Sequence, residues 1–399
     1  MNRPATERVA IVASARTPIG KFLGSFAEVS AAQLGMAATK GVLQRAGFAP
    51  ADMDELIYGC ARQAGGGPNV ARQVSVGSGI PNERPAFTVN QACGSGLQSI
   101  LLAADHIRLG KARVVLAGGA ENMTRVPYYL DRARLGYRMG NTQVVDGMYR
   151  DGFLDPICGM VMGETAEKLA DLYHIPREEQ DAYALESQKK AGAAIAAKRF
   201  ESEIVPVTVS GRKGDTVIAA DEHPRPETTP AELAKLPPVF RKDGTVSAGN
   251  ASGITDGAAS VIVAAESVVR KRGLKPQAWL GASAVVGVDP SIMGIGPVPA
   301  VRELLAATGR ELPHYELVEL NEAFAAQVLA CDRDLHFDRA RLNVNGGAIA
   351  LGHPIGCTGA RIVTTLLHEM ERRNARLGLA TLCVSGGLGL ALELDRNGI

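Results

Sequence analysis

Val89-Asn90-Gln91-Ala92-Cys93-Gly94-Ser95-Gly96 decides how this chain is read. Ala86 to Val89 predicts a short strand, and the glycine-rich run from Cys93 predicts a tight turn. Past the turn, Leu97, Ile100, Leu101, Ala104 and Ile107 fall on one helical stripe, which predicts a helix over 97–109. Val114 to Ala117 then predicts a buried strand that ends at Gly118-Gly119. Strand, glycine turn, helix and strand together form the repeating unit of an α/β protein. Working outward, Val9 to Ala13 predicts another buried strand. Ala31 to Ala46 has helical spacing and stops at Gly47, a C′ glycine.

A similar passage stands near the other end of the chain. Gly356-Cys357-Thr358-Gly359 precedes a helical run (Ile362, Val363, Leu366, Leu367, Met370), then a strand over Ala380 to Val384, then Gly386-Gly387. The two passages read as a weak internal repeat, as two related α/β halves would give. Between them, Asn122 to Val246 is rich in charges, tyrosines and prolines. It predicts an elaborated insertion with helices near 164–172 and 178–197, in place of a third core.

Composition closes off several classes. The 399 residues carry 43 basic and 42 acidic side chains, a net of +1, without the basic excess that phosphate-binding proteins use. Hydrophobic residues at 46% and charged residues at 21% suit a packed globular chain rather than a disordered one. Six cysteines lacking any CxxC pair predict neither a disulfide framework nor a zinc site. The apolar stretch over 377–392 is broken by Ser385, Gly386, Gly387 and Gly389, so it reads as strand, turn, strand and not as a membrane span. With no secretory signal pattern at the start, a reducing, cytoplasmic setting is expected.

Four positions could carry chemistry. Cys93 lies at a strand-to-helix junction, where helix N-terminal amides favour a thiolate; read alone, it is equally a buried structural cysteine. His353, fixed between Gly352 and Pro354, is a candidate base for a thiol, although lone loop histidines are usually inert. Cys383 on its apolar strand reads by itself as a core cysteine, and Asn321 as a helix N-cap.

Together these passages resemble the thiolase family. The Cys93 segment, Ala248-Gly249-Asn250-Ala251-Ser252-Gly253, Met293-Gly294-Ile295-Gly296-Pro297, Asn321-Glu322-Ala323-Phe324, Gly352-His353-Pro354 and the Cys383 segment occur in the family's order, from about Val9 to Leu394. The resemblance implies a thiolase fold: duplicated α/β halves in a layered α-β-α-β-α arrangement. Residues 1–122 with 248–275 would form the N-terminal half and 276–399 the C-terminal half. Residues 123–247 would form an inserted loop domain that covers the active site and binds CoA.

The resemblance also implies reversible, CoA-dependent cleavage of 3-ketoacyl-CoA, acetoacetyl-CoA included, or the reverse Claisen condensation. Cys93 would be the nucleophile and His353 its base and an oxyanion donor. Cys383 would be the general acid/base, and Asn321 would hold an oxyanion-site water. The backbone N–H of Ser385 would complete a second oxyanion site, at a position where the family usually has glycine. Arg225 would contact the adenine and Ser252 the pantetheine arm, with Met162, Met293, Phe240, Ala323 and Phe324 along the channel. Coenzyme A and acyl-CoA are substrates, and no cofactor, metal, nucleic acid or membrane is expected.

Val161 stands where many short-chain biosynthetic relatives have histidine, which favours apolar or longer acyl groups. Arg225-Pro226-Glu227-Thr228-Thr229 and His353-Pro354-Ile355-Gly356-Cys357-Thr358-Gly359 look like the degradative, β-oxidation branch, and thiolysis beyond four carbons is expected. A homodimer or homotetramer is expected, with 123–148 (Tyr128, Tyr129, Arg132, Arg134, Arg138) as an intersubunit loop. Three alternatives differ in chemistry. One is a biosynthetic acetyl-CoA acetyltransferase restricted to acetoacetyl-CoA. Another, a ketosynthase of the same fold, would replace the second cysteine role with histidine or asparagine. The last is a noncatalytic acyl-CoA or lipid carrier.

Overall fold

A computed structural model describes residues 7–212 and 214–398. Its backbone is a mixed 10-stranded sheet built from two halves. The first half contains β1 (Val9–Arg16), β2 (Glu55–Gly59), β3 (Ala86–Val89), β4 (Val114–Asn122) and β5 (Thr255–Ala265). The second contains β6 (Ala278–Gly287), β7 (Leu317–Leu320), β8 (Leu377–Val384) and β9 (Leu388–Asp395). The spatial order is β7-β8-β9-β6-β1-β5-β4-β2-β3, with Gly20–Lys21 paired outside this path to β5.

The halves repeat one topology. In the first, β1 pairs antiparallel with β5, β5 antiparallel with β4, and β4 parallel with β2. In the second, β6 pairs antiparallel with β9, β9 antiparallel with β8, and β8 parallel with β7. The halves join at a seam of two register pairs, Ala10↔Trp279 and Ile11↔Ala278.

Alternation along the strands sorts their side chains into layers. Leu56, Tyr58, Leu116 and Ile262 face one side, against α1 (Ala31–Ala46). Ile57, Val115, Ala117 and Val261 face the other side. There they meet α2 (Ser95–Arg108) and α7 (Ile355–Arg373), which also pack on Ala380, Leu382, Leu390 and Leu392 of the second half. The remaining face of that half, with Val318, Leu320, Leu379 and Ala391, is covered by α5 (Pro297–Thr308) and α6 (Ala325–Leu335). Three apolar clusters therefore correspond to three helical layers around two sheet halves, which is the expected α-β-α-β-α stack.

The elaborated segment supplies α3 (Met162–Leu172), α4 (Arg177–Ala196) and a hairpin of Val207–Gly211 with Gly214–Ile218. Arg16, fully buried on β1, fastens it to the core through Glu203 (2.5 Å) and Asp221 (2.7 Å). A charge this deep is tolerable only when paired in this way. Among the described residues, no helix is long and apolar enough to cross a membrane.

Two sequence expectations need correction. Gly118-Gly119 does not end its strand: β4 runs through both to Asn122. Their role is proximity, since a Cβ on Gly119 would lie 2.1 Å from the Gly356 carbonyl oxygen at the start of α7. Gly386 (φ 88°) and Gly387 (φ 82°) are instead a true turn between β8 and β9, so the two glycine pairs are not equivalent. The repeat lies in strand topology, where the sequence hardly records it.

Gly119→Ala should push α7 off β4 and cost about 1–3 kcal/mol, the usual range for overpacking a tight core. A urea unfolding curve should show the midpoint falling with the slope unchanged; an unmoved midpoint would show that the contact can relax freely.

Candidate active site

The chain reaches Cys93 through a strained turn, with Ala92 at φ 44°. Such a conformation persists only where neighbours over-determine it. Ser95 does much of this: its hydroxyl accepts from Gln91 N (2.8 Å) and donates to the Ala92 carbonyl (2.7 Å). The Asn90 side chain accepts from Ala92 N at 3.1 Å. Gly94 follows, where a side chain would crowd Leu390 and Val384 at 3.1 Å. The turn thus delivers the Cys93 thiol to the N-terminal end of α2.

His353 arrives from the other half, just before α7. Its Nε2 lies 3.3 Å from the Cys93 sulfur and its Nδ1 lies 2.6 Å from the Thr358 hydroxyl. That hydroxyl donates its one proton to the Pro354 carbonyl (3.1 Å), so it accepts from His353 Nδ1–H. The network therefore assigns the proton to Nδ1 and leaves the Nε2 lone pair facing the thiol. Burial, reinforced by the cations of Arg361 and Arg62, pushes the imidazole down to about 3.

Burial also pushes the Cys93 thiol up, against the opposing pull of the Arg62 cation and of the Ser385 and Cys93 backbone N–H groups on its sulfur. The expected thiolate preference from the helix terminus is thus overridden by desolvation. The resting pair is a neutral thiol and a neutral imidazole. Charge would appear only as the sulfur attacks.

Cys383, near the end of β8, is buried among Ala166, Val246, Met293, Ala323 and Phe324. Burial pushes its thiol well up, and the neighbouring Cys93 adds to that. Ser385 is not among the residues with positive φ, so its N–H acts on the Cys93 thiol without the backbone angles that favour glycine.

Cys93, His353, Cys383 and Ser385 share one cavity of about 790 Å³. Arg225, Ser252, Phe240 and Met162 line it too, as do Met293, Ala323 and Phe324. Phe240 and Phe324 meet edge to face, with centroids 6.3 Å apart. The Arg225 backbone N–H donates to the Gln188 side chain at 2.8 Å. Val161 is part of the wall, whereas Cys158 is not.

Asn321 does not line the cavity. It is fully buried one residue past β7, with its N–H donated to Thr381 of β8 at 3.0 Å. It is not a helix N-cap, because α6 begins after Phe324. Both polar atoms of its side-chain amide lack a protein partner, which is uncommon at such depth.

The supports around these residues left no signal in the local sequence. Glu121 on β4 accepts from Ala61 N, Arg62 N and Gly356 N at 2.8–3.0 Å, tying the loop after β2 to the start of α7. Glu322 accepts from Tyr183, Ser187, Asn343 and Ile349 N, which clamps the segment after Asn321 to α4 and to the glycine loop before His353. Arg62 and His223 also line the cavity. A Cβ on Gly253 would lie 2.0 Å from His223 Nε2, so that glycine makes room for the ring.

Comparison with known proteins matches this geometry to a family. Residues 9–267 match "Thiolase, N-terminal domain" and residues 274–396 match "Thiolase, C-terminal domain". An acetyl-CoA acetyltransferase of Syntrophomonas wolfei is 50% identical over 394 residues, covering 98% of this chain and 99% of that protein. The crystal structure of the Bacillus anthracis acetyl-CoA acetyltransferase superposes with a TM-score of 0.97 at 44% identity, covering 98% of this chain and 100% of that one. The crystal structure of human mitochondrial 3-ketoacyl-CoA thiolase in complex with CoA gives 0.93 at 42%, with 98% of each chain covered.

Because burial holds Cys93 above the ordinary thiol range of about 8.5, its alkylation by iodoacetamide should keep accelerating with pH through and beyond that range. A rate that levels off below pH 7 would instead reveal a preformed thiolate–imidazolium pair.

Proposed function

Because this chain belongs to the thiolase family, we propose that an acyl thioester on Cys93 is the intermediate through which it exchanges 3-ketoacyl-CoA and CoA for acetyl-CoA and a shortened acyl-CoA. Membership at about half identity over nearly the full length makes it a thiolase and an acyltransferase. One observation carries the mechanistic reading: an unprotonated imidazole nitrogen 3.3 Å from a thiol, with a second thiol on the same cavity.

In the cleavage direction, His353 Nε2 takes the Cys93 proton as the sulfur attacks the keto carbon. The adjacent carbon–carbon bond breaks, and its electron pair passes to the acetyl-CoA carbon, which takes the Cys383 proton. The CoA thiol then gives its proton to the Cys383 thiolate and attacks the acyl carbon. Cys93 departs as thiolate and recovers its proton from His353, which restores every group.

The acetyl-CoA carbon is a far weaker acid than any thiol, so proton exchange there requires stabilisation of the enolate oxygen as it forms. Each preorganised donor is worth about 3–4 kcal/mol in such sites. His353 and a water held by Asn321 would serve one oxyanion, and the Cys93 and Ser385 amides the other. The unpartnered Asn321 amide supports the first of these sites, and the two N–H groups on the Cys93 sulfur support the second.

CoA is read as occupying the channel, with Arg225 toward the adenine and Ser252 toward the pantetheine arm. The cavity positions of Met162, Met293, Phe240, Ala323 and Phe324 suit an apolar sleeve around it. Val161 in the wall supports acyl groups longer than four carbons, in the degradative direction. The Syntrophomonas wolfei relative's name, acetyl-CoA acetyltransferase, favours a second reading limited to acetoacetyl-CoA. A homodimer or homotetramer is proposed with 123–148 as the intersubunit loop, where Leu135, Met139 and Val144 stand exposed.

Thiolysis kinetics across acyl lengths test the reading. The protein should cleave acetoacetyl-CoA and also longer 3-ketoacyl-CoA thioesters. Cys93→Ala and Cys383→Ala should each lose about 100- to 10,000-fold or more in kcat. Activity confined to acetoacetyl-CoA would support the biosynthetic alternative, and full activity of either variant would refute the mechanism.

A further inference from the structure

Arg62 follows β2, its backbone N–H fixed by Glu121 at 3.0 Å, and its side chain lines the cavity at the Cys93 end. Nη2 donates to the Gly152 carbonyl at 2.9 Å. The guanidinium lies flush on Gly152, where a Cβ would come within 2.7 Å of Nε. Nε itself is buried and has no partner. Among the described residues, no carboxylate stands within 4.0 Å of this guanidinium. Glu121 is nearby, but its oxygens are engaged by backbone N–H groups.

Phe153, next in sequence to Gly152, also lines the cavity, as does Tyr149, and the two rings meet edge to face at 5.8 Å. Arg62 shares the cavity with Cys93 and His353, and its charge acts on both. An alkyl chain entering here would strip water from a cation and offer nothing in return, a costly desolvation. A carboxylate would accept from the free edge of the guanidinium, whose fork geometry suits it.

We propose that Arg62 binds the terminal carboxylate of a dicarboxylic 3-ketoacyl-CoA, making this site selective for acyl groups that end in an acid. The proposal rests on the thiolase reading and narrows its substrate class. It also revises the expectation of apolar acyl groups drawn from Val161.

The test compares thioesters of equal carbon number: 3-ketohexanoyl-CoA against 3-ketohexanedioyl-CoA, and 3-ketooctanoyl-CoA against 3-ketooctanedioyl-CoA. For at least one pair, kcat/KM should favour the carboxylated member by about tenfold or more, the scale of a charge-assisted contact. Arg62→Gln should bring that ratio to one or below, while Arg62→Lys should retain part of it. A wild-type preference for the methyl-ended members in both pairs would overturn the assignment. So would a Gln variant that slows both members equally, because Arg62 would then act on Cys93 alone. The whole panel, with acetoacetyl-CoA added, keeps the two readings apart: failure to cleave any of these thioesters removes the thiolase mechanism, whereas cleavage without carboxylate preference removes only the role of Arg62.

Discussion

The crossing of the two central helices is the contact on which everything else in this molecule depends. A Cβ on Gly359 of α7 would lie 2.1 Å from the Leu97 nitrogen of α2, and one on Gly96 of α2 would lie 2.8 Å from the Ala360 nitrogen. Only backbones without side chains between them approach so closely. The approach brings the N-terminal ends of helices from opposite halves together, one delivering Cys93 and the other following directly on His353. Nucleophile and base, 260 residues apart in sequence, thereby come within 3.3 Å.

Around that crossing, two buried carboxylates hold loops in place of reacting. Glu121 joins the loop after β2 to the first turn of α7, where a negative charge also suits the helix end. Glu322 joins the Asn321 segment to α4 and to the loop before His353. Each spends its acceptor capacity on backbone and neutral side-chain donors, and each fixes one wall of the cavity. The same burial keeps Cys93 and His353 neutral, so that the site stores no ion pair and separates charge only when a substrate is attacked.

The local elements were legible because their signals are local. The stripe from Leu97 to Ile107 gave α2 within two residues, and the run broken at Ser385 gave two strands joined by a turn. The family motifs brought the reactive residues into view. What stayed hidden depends on distant partners. Gly118-Gly119 read as a strand end because the atoms they make room for, the Ala259 carbonyl for Gly118 and the Gly356 carbonyl for Gly119, lie far along the chain. Asn321 read alone as a cap because nothing nearby reveals that its amide is buried and unpaired. Arg62, in a loop without a motif of its own, gains meaning only where Gly152 packs against its guanidinium.

The most direct test is where an acetyl group lands. After incubation with isotopically labelled acetyl-CoA and rapid acid quenching, peptide mass spectrometry should find the label on Cys93 and on none of the other five cysteines. An unlabelled Cys93, or label on another cysteine, would contradict the claim that the helix crossing builds a nucleophile.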